Sequence, residues 1–148
     1  MRPTISLLTL IWLLTASSMT VAEVLATRED IRKQTGSFMD MIASGRIVAA
    51  YSSLRPYLGV DSGAYDDSAK EAATYFQQVR KQAGEPVGSS HVATEIIASD
   101  FTRETWLQKF EAAAIAWRFT YYQPDVSGWK LVGVSYSTEL DDLYHTAE

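Results

Sequence analysis

The sequence predicts an α+β fold in which three N-terminal helices pack on a curved four-stranded antiparallel sheet. Three observations predict it. Apolar residues recur at helical spacing in the first half of the chain and at strand spacing in the second, and the change falls at Gly84-Glu85-Pro86. Tyr65, Ala69, Ala72, Phe76, Val79 and Ala83 lie at alternating steps of four and three, which lines one helix face. The run from Trp117 to Val132 reads as two aromatic strands joined by a Pro/Asp/Ser/Gly turn.

Taken in order, the chain opens with Arg2, an apolar run from Ile5 to Ala16, and the small residues Thr20 and Ala22. This is the pattern of a secretory signal peptide, and the run is shorter than the ~20 residues a membrane span needs. Cleavage after Ala22 is expected, leaving residues 23–148 as one α+β domain, periplasmic or secreted and not stably inserted in a membrane. Cysteine is absent, so neither a disulfide nor a lipid on a terminal cysteine contributes, and stability rests on the core. Asparagine is absent too, which removes N-glycosylation. The formal net charge of -5 becomes one unit more negative once Arg2 leaves, and the basic residues are dispersed. Nucleic acid is therefore not an expected partner, because a phosphate backbone calls for a basic stripe.

The first helix is signalled by Thr27 and Asp30 in capping-box spacing, with Ile31, Phe38, Met41 and Ile42 on one face and Gly45 as its stop. A shorter helix puts Ile47, Val48, Tyr51 and Leu54 on one side until Pro56 and Gly59 interrupt it. The striped third helix follows. Asp61, Asp66 and Asp67 near its start lack the spacing and closing Glu of a calcium loop, and acids are favourable at a helix N-terminus in any case.

Four strands are expected over 90–98, 102–110, 114–122 and 129–137, connected as a meander. Pairing Tyr121 with Lys130, Phe119 with Val132, Trp117 with Val134 and Ile115 with Tyr136 gathers one apolar face. The other face then shows Ala116, Arg118, Thr120, Tyr122, Trp129, Leu131, Gly133 and Ser135. On the second strand Glu104, Trp106, Gln108 and Phe110 alternate onto a common face.

No cofactor motif, metal-ligand cluster or phosphate loop is present. His91, at a strand start, and His145, in the C-terminal tail, have no second ligand at metal spacing. Gly133-Val-Ser-Tyr-Ser137 breaks the nucleophile-elbow pattern at its last glycine.

The strand Trp117-Arg118-Phe119 with Tyr122, Pro124, Gly128-Trp129 and Leu131, and the segment Met41-Ile42-Ala43-Ser44-Gly45 leading to Tyr51, Leu54 and Pro56-Tyr57, resemble the nuclear-transport-factor-2-like superfamily and its small exported bacterial members. The resemblance implies a cystatin-like cone, a sheet wrapped around the long helix with an open end that can hold a ligand. Relatives of the ketosteroid-isomerase and scytalone-dehydratase type do acid/base chemistry there, whereas others bind partners. On this reading Tyr51, Trp106, Gln108, Phe110, Trp117, Phe119 and Tyr136 face the pocket, although aromatics at strand alternation equally serve as core. The leading expectation is a non-enzymatic domain that binds a small apolar ligand or a protein partner. The alternative is an isomerase or dehydratase with Glu104 as base and Tyr51 or Tyr136 as donor. Tyr122, Trp129 and Leu131, on the face that helices leave open, are the expected homodimer interface.

Overall fold

The computed structural model describes residues 24–144; the segment read as a signal peptide and His145 lie outside them. The capping box opens helix α1 (Arg28–Ala43): Thr27 Oγ1 accepts from the Asp30 N–H at 3.1 Å, and the Asp30 carboxylate accepts from the Thr27 N–H at 2.9 Å. The helix buries Ile31, Thr35, Phe38, Met39 and Ile42. Gly45, at φ +76°, turns the chain into α2 (Ile47–Leu54). Val48 does not share the buried side with Tyr51 and Leu54 as the spacing suggested; it is 55% exposed, and Ala50 is buried instead. Pro56 sits in a 3-10 turn over Arg55–Tyr57, where its missing N–H costs no helical bond.

Helix α3 (Ser62–Ala83) starts at Asp61, whose carboxylate accepts from the Gly63 N–H at 2.9 Å. Its buried residues are Tyr65, Ala69, Ala72, Phe76 and Ala83, with Val79 packed half-buried beside them. This is the stripe read from the sequence. Four antiparallel strands follow in the spatial order of the chain: β1 (Pro86–Ile97), β2 (Phe101–Phe110), β3 (Ala114–Tyr122) and β4 (Lys130–Ser137). β1 starts earlier than the sequence suggested, at Pro86.

The register of β3 against β4 differs from the expected one. Tyr122 pairs with Lys130 and Tyr121 with Leu131, but Thr120 pairs with Gly133, Phe119 with Val134 and Trp117 with Tyr136. The pairing slips at a bulge that leaves Val132 over, and one extra residue reverses the facing of everything beyond it. Trp129 and Leu131 consequently turn inward to join Tyr121. They are 4% and 1% exposed, so the apolar patch proposed for an interface does not exist on the outer face. Leu25 forms a bridge with Trp129, whose N–H donates to the Leu25 carbonyl at 2.8 Å, and the Arg28 guanidinium lies 4.7 Å above the indole. The Gly59 N–H donates to the Leu131 carbonyl at 2.9 Å. Tyr122, the third member of that set, is half-buried and stacks on Phe101 at 4.6 Å.

The centre is aromatic. Phe38 meets Tyr51 at 5.4 Å, Trp117 at 5.3 Å and Phe119 at 5.0 Å between ring centroids, and Phe76 stacks on Trp117 at 5.3 Å. Rings at these separations add edge-to-face and stacking attraction to the area they bury. The opposite face of the sheet carries ion pairs, Arg103 with Glu95 at 2.7 Å and Arg118 with Asp142 at 2.7 Å.

Candidate functional site

A cleft of ≈ 460 Å³ opens where the end of α1, the first turn of α2, the second half of α3 and the end of β2 meet. Ile42, Ile47, Ala73, Phe76 and Phe110 form apolar walls. Size and lining suit a small organic molecule. The polar groups at its surface are few. Gln108, 1% exposed, accepts a hydrogen bond from Trp117 Nε1 at 3.0 Å through its amide oxygen. An indole N–H can only donate, which fixes the orientation of the amide and leaves its NH₂ as the remaining donor. Helix α2 begins at Arg46 without a side-chain cap and without an acid in its first turn, and its first amides have no intrahelical acceptor. Arg46, Ile47, Val48 and Ala49 all line the cleft, as does Arg80, which is paired with Glu85.

Of the residues expected to face a pocket, Gln108 and Phe110 line this cleft. Tyr51, Trp117 and Phe119 do not; they are 2%, 0% and 0% exposed and fill the space that an open cone would leave. Burial pushes the Tyr51 phenol well above its ordinary pKa, with Tyr136 adding to the rise. Tyr136 is half-buried against Tyr75, Phe76 and Trp117, at 5.2, 5.2 and 5.0 Å. Trp106 lies against His91, its Nε1 buried without a hydrogen-bond partner among the described residues.

A second, polar cleft of ≈ 440 Å³ lies between the first turns of α1 and the β1–β2 pair, lined by Arg28, Glu29, Arg32, Thr94 and Glu104. Glu104, the base of the enzyme alternative, is a buried carboxyl with several partners. It is 1% exposed and fully engaged: His91 Nε2 stands 2.6 Å from Oε2, Thr94 Oγ1 donates to Oε1 at 2.7 Å, and Arg32 Nε lies 3.9 Å away. Arg32 also donates to Thr94 Oγ1 at 2.6 Å. A buried carboxylate persists only with such partners. Arg118 lies on the other face of the sheet, as the sequence placed it, and pairs with Asp142. Tyr51 and Tyr136, the donors paired with it in the enzyme reading, make no hydrogen bond to it among the described residues.

His91, read from the sequence as an isolated strand-end residue, is thus half of a carboxylate–imidazole pair. A register shift between His91 and Ala93 brings its side chain to the side that carries Thr94 and Glu104. Neither histidine nor acid spacing in the sequence signals this. The pair can hold an imidazole in one orientation and pass a proton through it.

The acidic cluster at the start of α3 is occupied structurally. Asp66 pairs with Arg55 at 3.1 Å and Asp67 with Lys70 at 3.1 Å, and no group of three or more metal-type side chains occurs among the described residues. No helix of the described residues is long and apolar enough to cross a membrane. Comparison of the chain with protein-family models, with curated proteins and with solved structures finds no match.

Proposed function

We propose that the protein is an exported binding domain that holds a small apolar ligand in the cleft between α2, α3 and the end of β2, without chemistry on that ligand. The observation that carries this reading is the ≈ 460 Å³ cleft walled by Ile42, Ile47, Phe76 and Phe110. Three helices leading into a four-stranded meander support the resemblance to the nuclear-transport-factor-2-like superfamily. Within this reading the ligand sits beside the aromatic centre rather than inside it, since Tyr51, Trp117 and Phe119 already occupy that space.

The test is fluorescence of N-phenyl-1-naphthylamine, a neutral apolar probe, titrated with the full chain and with Ala73→Phe, which fills the cleft from α3. Enhancement with the parent chain and its loss in the variant, at an unchanged urea midpoint, support the reading. No enhancement with the parent, or equal enhancement with both, refutes it.

A second reading, acid/base catalysis in the polar cleft, is favoured by the 2.6 Å contact between His91 and the buried Glu104. It differs from the sequence expectation in its roles: His91 transfers the proton and Glu104 orients it. Its signature is turnover that is lost in His91→Ala and reduced in Glu104→Gln, where the imidazole loses its orienting partner.

A further inference from the structure

We infer that one end of the sheet, where the β1–β2 and β3–β4 turns meet the strand entering α1, is a contact surface for a lipid bilayer, touched reversibly through Val24, Ile96, Ile97 and Val126. This surface is separate from the apolar cleft, which lies at the other end of α1.

The meander carries both turns to the same end of the sheet, and hydrogen bonds brace them there. The Gln123 N–H donates to the Asp100 carbonyl at 2.9 Å, and Arg28 donates to the Ser99 carbonyl at 2.8 Å while its guanidinium covers Trp129. Leu25 bridges to Trp129, which sets Val24 beside Gly128. On this end Val24 is 49% exposed, Ile96 58%, Ile97 71% and Val126 fully. Single exposed apolar residues are ordinary, but here four of the eight large ones among the described residues gather at one end. Two features favour a bilayer over a folded partner. The side chains project from separate turns, and a lipid interface admits such groups one by one, whereas a protein interface needs a matched, packed surface. The second is where the remaining chain joins. Residues 17–23 connect Val24 to the apolar run Ile5–Ala16, and seven residues reach about 25 Å at most. Until that run is removed, the apolar phase that receives it lies beside this end of the fold. Charges of both signs, Asp100 and Asp125 with Arg28 and Lys130, flank the turns, so the attraction is apolar and calls for no anionic lipid.

The chain has no cysteine, so one introduced thiol reports on one place. The full chain with Val126→Cys, labelled with the polarity-sensitive fluorophore nitrobenzoxadiazole, is mixed with phosphatidylcholine vesicles. Val87→Cys is the control, exposed at the other end of β1, about 30 Å from its turn at the rise of a strand. Brighter, blue-shifted emission is expected at 126, quenched by nitroxide-bearing lipid, with little change at 87. Replacing both exposed residues, Ile96→Ser with Ile97→Ser, is expected to raise the vesicle concentration for half of that change about tenfold or more, the scale of withdrawing one isoleucine from apolar surroundings. An equal response at 126 and 87, or one at 126 that survives the two serines, overturns the assignment of the contact to this end. No response to vesicles overturns the lipid assignment. A response at 126 that grows with protein concentration and needs no lipid overturns it in favour of a second copy of the chain.

Discussion

The pair His91–Glu104 invites a double-mutant cycle. Four proteins are compared: the parent, His91→Ala, Glu104→Ala and the double variant. In the folded state the 2.6 Å contact joins a carboxylate 1% exposed to an imidazole side chain 24% exposed. Hydrogen bonds to charged groups contribute roughly 1.5–3 kcal/mol, and the partial exposure of His91 argues for the lower part of that range, about 1.5–2 kcal/mol of coupling. Glu104→Ala by itself should cost more, about 3–5 kcal/mol, because it also strips Thr94 of its acceptor and Arg32 of its counter-charge. His91→Ala should cost less, since Thr94 and Arg32 stay with the carboxylate. Urea unfolding at neutral pH, with midpoints converted at a common slope, supplies all four free energies. A coupling below about 0.5 kcal/mol refutes the argument that the two side chains stabilise one another.

Three further outcomes are expected. Burial raises the phenol pKa values of Tyr51, Tyr65 and Tyr121; above pH ~10 the unfolded chain releases these protons while the folded one keeps them, so their contribution is complete below pH ~10 and falls above it by up to about 1.4 kcal/mol per pH unit per tyrosine. Urea midpoints between pH 9 and the alkaline transition, followed with tyrosinate absorbance, check this, and ordinary titration of all tyrosines in the folded protein refutes it. Gly128→Ala should destabilise by about 1–3 kcal/mol, because Gly128 holds φ +106° and a Cβ there would lie 2.8 Å from the Leu25 carbonyl oxygen; Gly133→Ala, whose Cβ meets nothing closer than 3.7 Å, is the control in the same unfolding assay. Trp129→Ala should cost about 3–5 kcal/mol as a core truncation, and a midpoint within error of the parent would return Trp129 to the surface.

The helical half was legible because its signals are local. Thr27 and Asp30 need only each other, and the stripe from Tyr65 to Ala83 needs only the helical period. The meander followed from turn residues between aromatic runs. The sheet faces were not legible past the bulges, because strict alternation assumes no extra residue, and one at Val132 carried Trp129 and Leu131 from the expected surface into the core. The same cause hid the polar site: the shift between His91 and Ala93 is invisible in Ser-His-Val-Ala-Thr, yet it decides whether His91 meets Glu104. The apolar cleft was half legible. Gln108 and Phe110 were found by alternation from Trp106, but Arg46 and the helix start were passed over, although an arginine where a capping Ser, Asp or Thr is usual is itself a readable sign of open amides.

The bridge between Leu25 and Trp129 sets the direction from which the folded body can be tethered. It clamps the strand entering α1 beside Gly128, at the helix's N-terminal end. The cleft opens past the other end, at Ile42 and Gly45. Sixteen helical residues separate the two by about 24 Å at the α-helical rise. A force applied at Val24 therefore reaches the β3–β4 turn at Trp129 first, at the opposite end of α1 from the residues Ile42 and Gly45 that line the cleft.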